Sequence, residues 1–166
     1  MKILMLTNTY APHVGGVALS VEAFTTAYRA RGHEVLVVCP EFENAPEDEP
    51  GVIRIPAIQR FNGSDFSVVL MTPRWLRRKV EAFGPDLIHS HHPFLLGATA
   101  VRLARMLDVP LVFTHHTMYE HYTHYVPGDS ETMRRFATHL STNYSNLSDA
   151  VFAPSEAVAE VLRRAA

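Results

Sequence analysis

The sequence predicts an α/β protein, a Rossmann-like parallel sheet with helices on both faces. Short continuous apolar runs recur along the chain, and segments with helical apolar period separate them. Strand–helix alternation at this spacing makes right-handed crossovers between parallel strands. A parallel strand is buried on both faces, so it reads as an unbroken apolar run and not as an alternation.

The elements follow in order. Ile3-Leu4-Met5-Leu6 is the first strand. Val17, Val21, Phe24 and Tyr28 fall at i, i+4, i+7 and i+11, one stripe of a helix that Arg31-Gly32 stops. Val35-Leu36-Val37-Val38 is the second strand, and the acidic stretch Glu41 to Glu49 is a solvated loop. Segment 52–71 reads as one strand, Val52-Ile53-Arg54-Ile55, then a loop or short strand at Phe66-Ser67-Val68-Val69-Leu70. Thr72-Pro73 is a cap with proline at the first helical position, opening a helix through Phe83. Asp86-Leu87-Ile88-His89 is a strand. The stripe Leu96, Ala100, Leu103, Leu107 is a helix closed by Pro110, and Leu111-Val112-Phe113 is the next strand. Met133, Phe136, Leu140, Tyr144 and Leu147 make a further helical stripe before the strand Ala150-Val151-Phe152. Pro154-Ser155 opens a last helix that reaches Arg163-Arg164-Ala165-Ala166 with no glycine stop and no closing strand. On the residues alone, that ending fits a fragment as well as a natural C-terminal helix.

Composition narrows the function. The 166 residues fit one domain, and 47% hydrophobic against 19% charged residues leaves ample core material. Lys plus Arg is 15 against 17 for Asp plus Glu, a net charge of −2, which argues against a nucleic-acid partner. The lone cysteine, Cys39, excludes an internal disulfide and suits a reducing compartment. The apolar runs are too short to span a bilayer, and the one at the N-terminus is too short for a signal peptide. Ten histidines are the compositional oddity.

In an open parallel sheet, ligands bind outside the carboxyl ends of the strands where strand order reverses. Three places there carry polar or glycine-rich residues. After the first strand, Thr7-Asn8-Thr9-Tyr10-Ala11-Pro12-His13-Val14-Gly15-Gly16 leads into the first helix. Paired glycines at a helix N-terminus let backbone N–H groups approach a phosphate closely, though a plain turn reads the same way. Neither G-x-G-x-x-G nor the Walker pattern occurs. The second place is His89-Ser90-His91-His92-Pro93, and the third is Thr114-His115-His116-Thr117, followed by His121 and His124. Histidines at two strand ends suit a metal cluster, an acid/base pair or the wall of a pocket for hydroxyl-rich ligands. The hydrogen-bonding wall is preferred and no metal is assigned, because neutral imidazole both donates and accepts and no thiolate or carboxylate joins the set. His33 and His139 are read as surface or packing residues. The run Arg74-Trp75-Leu76-Arg77-Arg78-Lys79 suits either an interfacial helix or, preferably, an ordinary surface helix packing Trp75, Val80 and Phe83 inward.

Taken in order, Gly15-Gly16, Pro85-Asp86-Leu87-Ile88-His89-Ser90-His91, His116-Thr117 and Asp149-Ala150-Val151-Phe152-Ala153-Pro154-Ser155 resemble the N-terminal domain of family-4 retaining glycosyltransferases, which have the two-domain GT-B fold. The segment His116 to Tyr125 is similar to that of bacterial glucosyltransferases acting on diacylglycerol. The resemblance implies that residues 1–166 form the acceptor-side half of a GT-B enzyme, with the nucleotide-sugar domain absent and the piece inactive alone. It implies no cofactor. A nucleotide diphosphate sugar is the donor, and the acceptor is a hydroxyl, with a glycerolipid the candidate. By analogy Gly15 and Gly16 lie against the donor diphosphate and acceptor, and His116 contacts the donor sugar beside the reacting carbon. His89, His91, Thr117, Tyr119 and Tyr125 are assigned to the donor and acceptor surfaces. The implied partners are the C-terminal domain of the same enzyme and the membrane surface, touched through helix 73–83 or Tyr119, Tyr122 and Tyr125. The implied location is cytoplasmic, peripheral on the inner face of the cell membrane.

Two other classes share the fold. A non-catalytic binding module is compatible with the composition. A nicotinamide-dependent oxidoreductase is disfavoured, because the glycine fingerprint is missing and no acidic residue ends Val38-Cys39-Pro40.

Overall fold

The computed structural model describes residues 1–63, 67–116 and 131–165. Among these, the strands are β1 (Lys2–Leu6), β2 (Glu34–Pro40), β3 (Val52–Ile55), β4 (Leu87–Ser90), β5 (Leu111–Thr114) and β6 (Ala150–Phe152). The helices are α1 (Gly16–Ala30), α2 (Arg74–Phe83), α3 (Leu96–Leu107), α4 (Glu131–Asn146) and α5 (Glu156–Ala165). The strands form one sheet in the order β3-β2-β1-β4-β5-β6, with every pairing parallel. The chain steps outward from β1 to β3, then returns past β1 to build β4, β5 and β6 on the other side. Strand order therefore reverses between β1 and β4, and the crevice for a ligand lies at their carboxyl ends.

The period of two along each strand sorts the core into two layers. Leu4, Leu6, Ile88, Leu111 and Phe113 face Leu76 and Val80 of α2, Leu96, Ala100 and Leu103 of α3, and Tyr144 of α4. Ile3, Met5, Val35, Val37 and Cys39 face the other way, onto Val21 of α1. Register places Met5 beside His89 and His89 beside Val112. The loops after β1, β4 and β5 thus leave the sheet at one level. At the opposite edge two aspartates lock neighbouring strands. Asp86 Oδ2 accepts from the Lys2 amide at 2.7 Å, and Asp149 Oδ2 accepts from the Leu111 amide at 2.7 Å. Both belong to the motifs that carry the family resemblance, and both hold register far from the ligand edge.

Two expectations about α2 need correction. Pro73 is the N-cap of α2, extended at ψ 146°, so the helix starts one residue later, at Arg74. The buried residues of α2 are Leu76 and Val80, with Phe83 packed beside them, while Trp75 is 40% exposed. Leu76, Val80 and Phe83 share one stripe at i, i+4 and i+7, which turns Trp75 onto the outer surface, where the Lys79 ammonium lies 5.3 Å from its ring centre. After β3, the second half of segment 52–71 supplies one antiparallel bridge, Ile58 to Val68, and no further strand among the described residues. Gly84, at φ 62°, closes α2 in the left-handed region that side chains avoid.

Candidate functional site

The site grows from three loops at the carboxyl edge. The first follows β1, where Asn8 binds the neighbouring loop at three points. Its backbone N–H donates to His92 Nδ1 (3.1 Å), its Nδ2 donates to the Phe94 carbonyl (3.1 Å), and its Oδ1 accepts from the Leu96 amide (3.1 Å). Leu96 is the first residue of α3, so Asn8 caps that helix from another loop. The same two side-chain bonds bracket Leu95, held at φ 55° and ψ −110°, a conformation that costs energy unless its neighbours enforce it. Since His92 Nδ1 accepts from a backbone N–H, its ring proton sits on Nε2. Burial pushes this imidazole down to about 3, with His116 adding to the shift, so the ring stays neutral.

Gly15 and Gly16 end this loop, with Gly15 as N-cap of α1 and no side chain capping the helix. Gly15 is extended at φ −168°, a backbone that any residue adopts. Its Cβ position would meet His13 Nε2 at 3.1 Å, while a Cβ on Gly16 would meet nothing within 4 Å. The Gly16 side of the first turn of α1 is therefore open, at the positive end of the helix dipole. Arg54 holds the loop from below. Its guanidinium donates to the Ala11 carbonyl at 2.9 Å and to Glu49 Oε2 at 2.6 Å.

The second and third loops bring a file of three imidazoles inward from the surface. His116 is partly exposed, and its Nε2 lies 2.8 Å from Nδ1 of His91, the rings stacking with centres 5.1 Å apart. His91 is fully buried and lies on His89, ring centres 4.2 Å apart. His89 is fully buried too, with Nε2 2.7 Å from Thr114 Oγ1 and Nδ1 3.3 Å from the Tyr28 hydroxyl. Phe24 of α1 packs edge-on against His89 and touches the His91 ring, tying the helix that starts at Gly16 to the file. Burial is the main cause of the shifts. It pushes His89 down to about 3, aided by His116, and holds His91 well below the ordinary value, with His89, His116 and His92 adding to the effect. Burial, then His115, brings His116 to about 4. At neutral pH these rings are uncharged hydrogen-bonding groups.

The structure thus brings Gly15, Gly16, His91 and His116 to one edge of the sheet, on strands that flank or include β4. His89 stands on the same file but behind it, with both nitrogens engaged inside the fold. Thr117, Tyr119, Tyr122, Tyr125, His121 and His124 lie outside the described residues. Asn8 is a site-building residue that residue patterns did not single out, and His92, counted with the strand-end histidines, turns out to be its partner. The available signal was the polar Thr7-Asn8-Thr9 directly after a buried strand. Among the described residues, no three His, Cys, Asp or Glu side chains group as metal ligands. Cys39 is fully buried between β1 and α1, and burial pushes its thiol up to about 12, which keeps it unreactive. A separate cavity of about 580 Å3 opens between the segment before α2 and the face of α3, lined by Leu70, Met71, Leu95 and Met106 with Arg74 and Arg102. None of Gly15, Gly16, His91 or His116 lines it.

A doubly wound parallel sheet with a helix N-terminus open on one side at its switch point defines a Rossmann-type ligand-binding domain. The chain belongs to Glycosyltransferase Family 4, whose model matches residues 14–166, a span that includes both glycines and the whole histidine file. It is 36% identical over 140 residues to an alpha-monoglucosyldiacylglycerol synthase of Acholeplasma laidlawii, covering 82% of this chain and 34% of that protein. The synthase of the same name from Streptococcus pneumoniae is 29% identical over 163 residues, covering 98% of this chain and 37% of its own. A GDP-mannose-dependent alpha-mannosyltransferase of Corynebacterium glutamicum is 27% identical over 123 residues, 70% of this chain and 29% of that protein. The chain therefore spans about a third of the length of these relatives. In fold it is similar to the UDP-GlcNAc 2-epimerase of Methanocaldococcus jannaschii, with TM-score 0.56 and 14% identity over 99% of this chain and 42% of that one.

Proposed function

We propose that residues 1–166 are the N-terminal, acceptor-side domain of a two-domain retaining GT-B glycosyltransferase. The complete enzyme moves a sugar from a nucleotide diphosphate sugar to a hydroxyl acceptor, and the acceptor is a glycerolipid. The observation that carries the reading is the neutral, partly exposed His116 at the carboxyl edge, on the same side of the sheet as the N-terminus of α1. Family membership supports the transfer, and the two relatives named for a glucosylated diacylglycerol support the lipid. A second Rossmann-type domain supplies the nucleotide pocket, and this chain alone turns over nothing.

The chemistry follows from charge. As the glycosidic bond breaks, positive charge grows on the sugar ring and negative charge on the leaving diphosphate. Amides fixed at the N-terminus of α1 meet the developing phosphate charge without reorganising, which is where preorganised donors lower a barrier most. His116 orients the sugar. Its proton affinity is too low for it to take a proton at neutral pH, so the leaving phosphate serves as the base on the same face. Donor and acceptor contacts are assigned to Thr117, Tyr119 and Tyr125 on the family resemblance alone.

The membrane face of this reading is α2. Arg74, Arg78 and Lys79 surround the exposed Trp75, and Arg77 is paired with Glu81 at 2.7 Å. Cations beside an exposed indole suit the surface of anionic lipid at the inner face of the cell membrane. Among the described residues, no helix is long and apolar enough to cross a membrane.

The test is His116→Ala in the complete enzyme. The expected result is a fall in kcat of about 10²- to 10³-fold with nucleotide affinity nearly unchanged. Equal loss of turnover and nucleotide binding refutes the role assigned to His116.

A further inference from the structure

We propose that His91 is a positioning residue that holds His116 in its Nδ1–H tautomer, so that His116 presents a single hydrogen-bond donor to an oxygen of the bound ligand. Calling that ligand a sugar rests on the function proposed above; the tautomer assignment does not.

The argument is an accounting of protons. His91 Nδ1 and His116 Nε2 are 2.8 Å apart, a hydrogen bond that uses one proton and one lone pair. Two neutral arrangements satisfy it. In the first, His116 Nε2–H donates to His91 Nδ1, and the second nitrogen of His91, Nε2, must then carry a hydrogen. In the second, His91 Nδ1–H donates to His116 Nε2, and His91 Nε2 carries only a lone pair. His91 Nε2 is buried and has no hydrogen-bond partner among the described residues. The first arrangement therefore strands an N–H donor in the interior, and the second strands a lone pair. Among buried backbone groups an orphaned N–H is rarer than an under-satisfied acceptor, and the same preference is extended to the ring. Phe24 and His89 pack against the same ring and leave it in apolar surroundings, which sharpens the difference. A third arrangement, with one ring protonated, puts a charge among imidazoles that are buried or half-buried, and burial opposes it.

The second arrangement fixes the outer ring. With Nε2 accepting, the one hydrogen of neutral His116 sits on Nδ1, at the side of the ring directed away from His91. Nδ1 makes no hydrogen bond to a described residue, and His116 is the partly exposed member of the file. The His116 ring therefore recognises a lone pair, such as a hydroxyl or phosphoryl oxygen, and itself offers no acceptor for a hydroxyl proton. Buried Thr114 and half-buried Tyr28 hold His89 beneath His91, which fixes the ring against which His91 packs.

Long-range ¹H–¹⁵N correlation of histidine-labelled full chain at neutral pH reads the tautomer directly. The expected spectrum shows pyrrole-type Nδ1 and pyridine-type Nε2 for both His91 and His116. A His116 with hydrogen on Nε2 overturns the proposal. Two variants test the direction of control. In His91→Asn the carboxamide N–H stands near the place of Nδ1, and His116 keeps its Nδ1–H signature. In His91→Asp only acceptor oxygens face His116, and its hydrogen moves to Nε2. A His116 tautomer identical in the Asp variant overturns the role of His91. Should the Asp variant fail to fold, His91→Leu replaces it: removing the donor gives His116 the averaged shifts of mixed tautomers, and unchanged shifts overturn the proposal. A complete enzyme that transfers no sugar refutes the functional reading and leaves these spectra untouched.

Discussion

Acid should unfold this domain through its histidines, well above the pH at which carboxylates lose their charge. The perturbation is a shift from about pH 7.5 to about pH 5, the window in which an unfolded histidine titrates and these buried ones do not. His89 and His92 are pushed from an ordinary 6.5 to about 3, and His91 moves in the same direction. The sign is fixed by proton counting. Between the folded and unfolded values the unfolded chain binds a proton at each position and the folded chain does not, so stability rises with pH and is lost on acidification. About pH 5 is roughly 1.5 units below the unfolded value, so each ring kept neutral in the fold costs ~2 kcal/mol there. Three fully enclosed rings together give ~6 kcal/mol, comparable to the 5–15 kcal/mol that holds a typical domain folded. His116, partly exposed and screened by solvent, adds a smaller share in the same direction. Below about pH 6 the slope should approach ~4 kcal/mol per pH unit, the uptake of three protons on unfolding. Urea unfolding at a series of pH values measures it, with the m-value checking that the transition stays two-state. A midpoint that stays flat from about pH 7 to about pH 5 refutes the neutral, buried assignment of the file.

Two further outcomes follow. Gly97→Ala should destabilise the chain by about 2 kcal/mol, against the gain of ~1 kcal/mol that alanine brings to an ordinary helix position. A Cβ there would run into the His92 carbonyl, and the Gly97 carbonyl accepts from the Tyr144 hydroxyl at 2.9 Å, so the helix cannot withdraw freely. Thermal or urea denaturation decides, and a stabilised variant contradicts the close approach. Neutralising Arg78 and Lys79 together should weaken binding to anionic vesicles by about 30-fold, from ~1 kcal/mol per cation near such a surface. Flotation at low and high salt reads it, and salt-insensitive, unchanged binding removes α2 from the membrane face.

The fold was largely legible because the strands are buried on both sides. Ile3 to Leu6 and Leu111 to Phe113 are unbroken apolar runs, and a run of that kind between helical stripes has few other homes. What the residues left open depends on which way a side chain turns. Trp75 and Leu76 are adjacent and both apolar, and only the packing of α2 on the sheet selects Leu76, through its spacing to Val80 and Phe83. Where the period is strict, however, more was readable than the composition of the loops suggested. Met5 faces α1, register pairs it with His89, and the alternation along β4 then sends Ser90 to the other layer and His91 back toward α1.

Counting three histidines at a strand end therefore merges two roles. His89 and His91 form a file with His116, while His92 belongs to the clamp on Asn8, and the one-residue step from His91 to His92 separates the imidazole file from a loop anchor. That clamp joins positions more than 80 residues apart, 84 by the separation of Asn8 from His92, and no local pattern encodes it. The glycines show the converse. Their backbone angles demand nothing special at Gly15, and the space above Gly16 is empty, so sequence identifies the loop while only the structure shows which side of the helix end is open. A Cβ at Gly16 would meet nothing within 4 Å, while one at Gly15 would press on His13 Nε2 at 3.1 Å, so the two glycines leave different amounts of room at the end of α1.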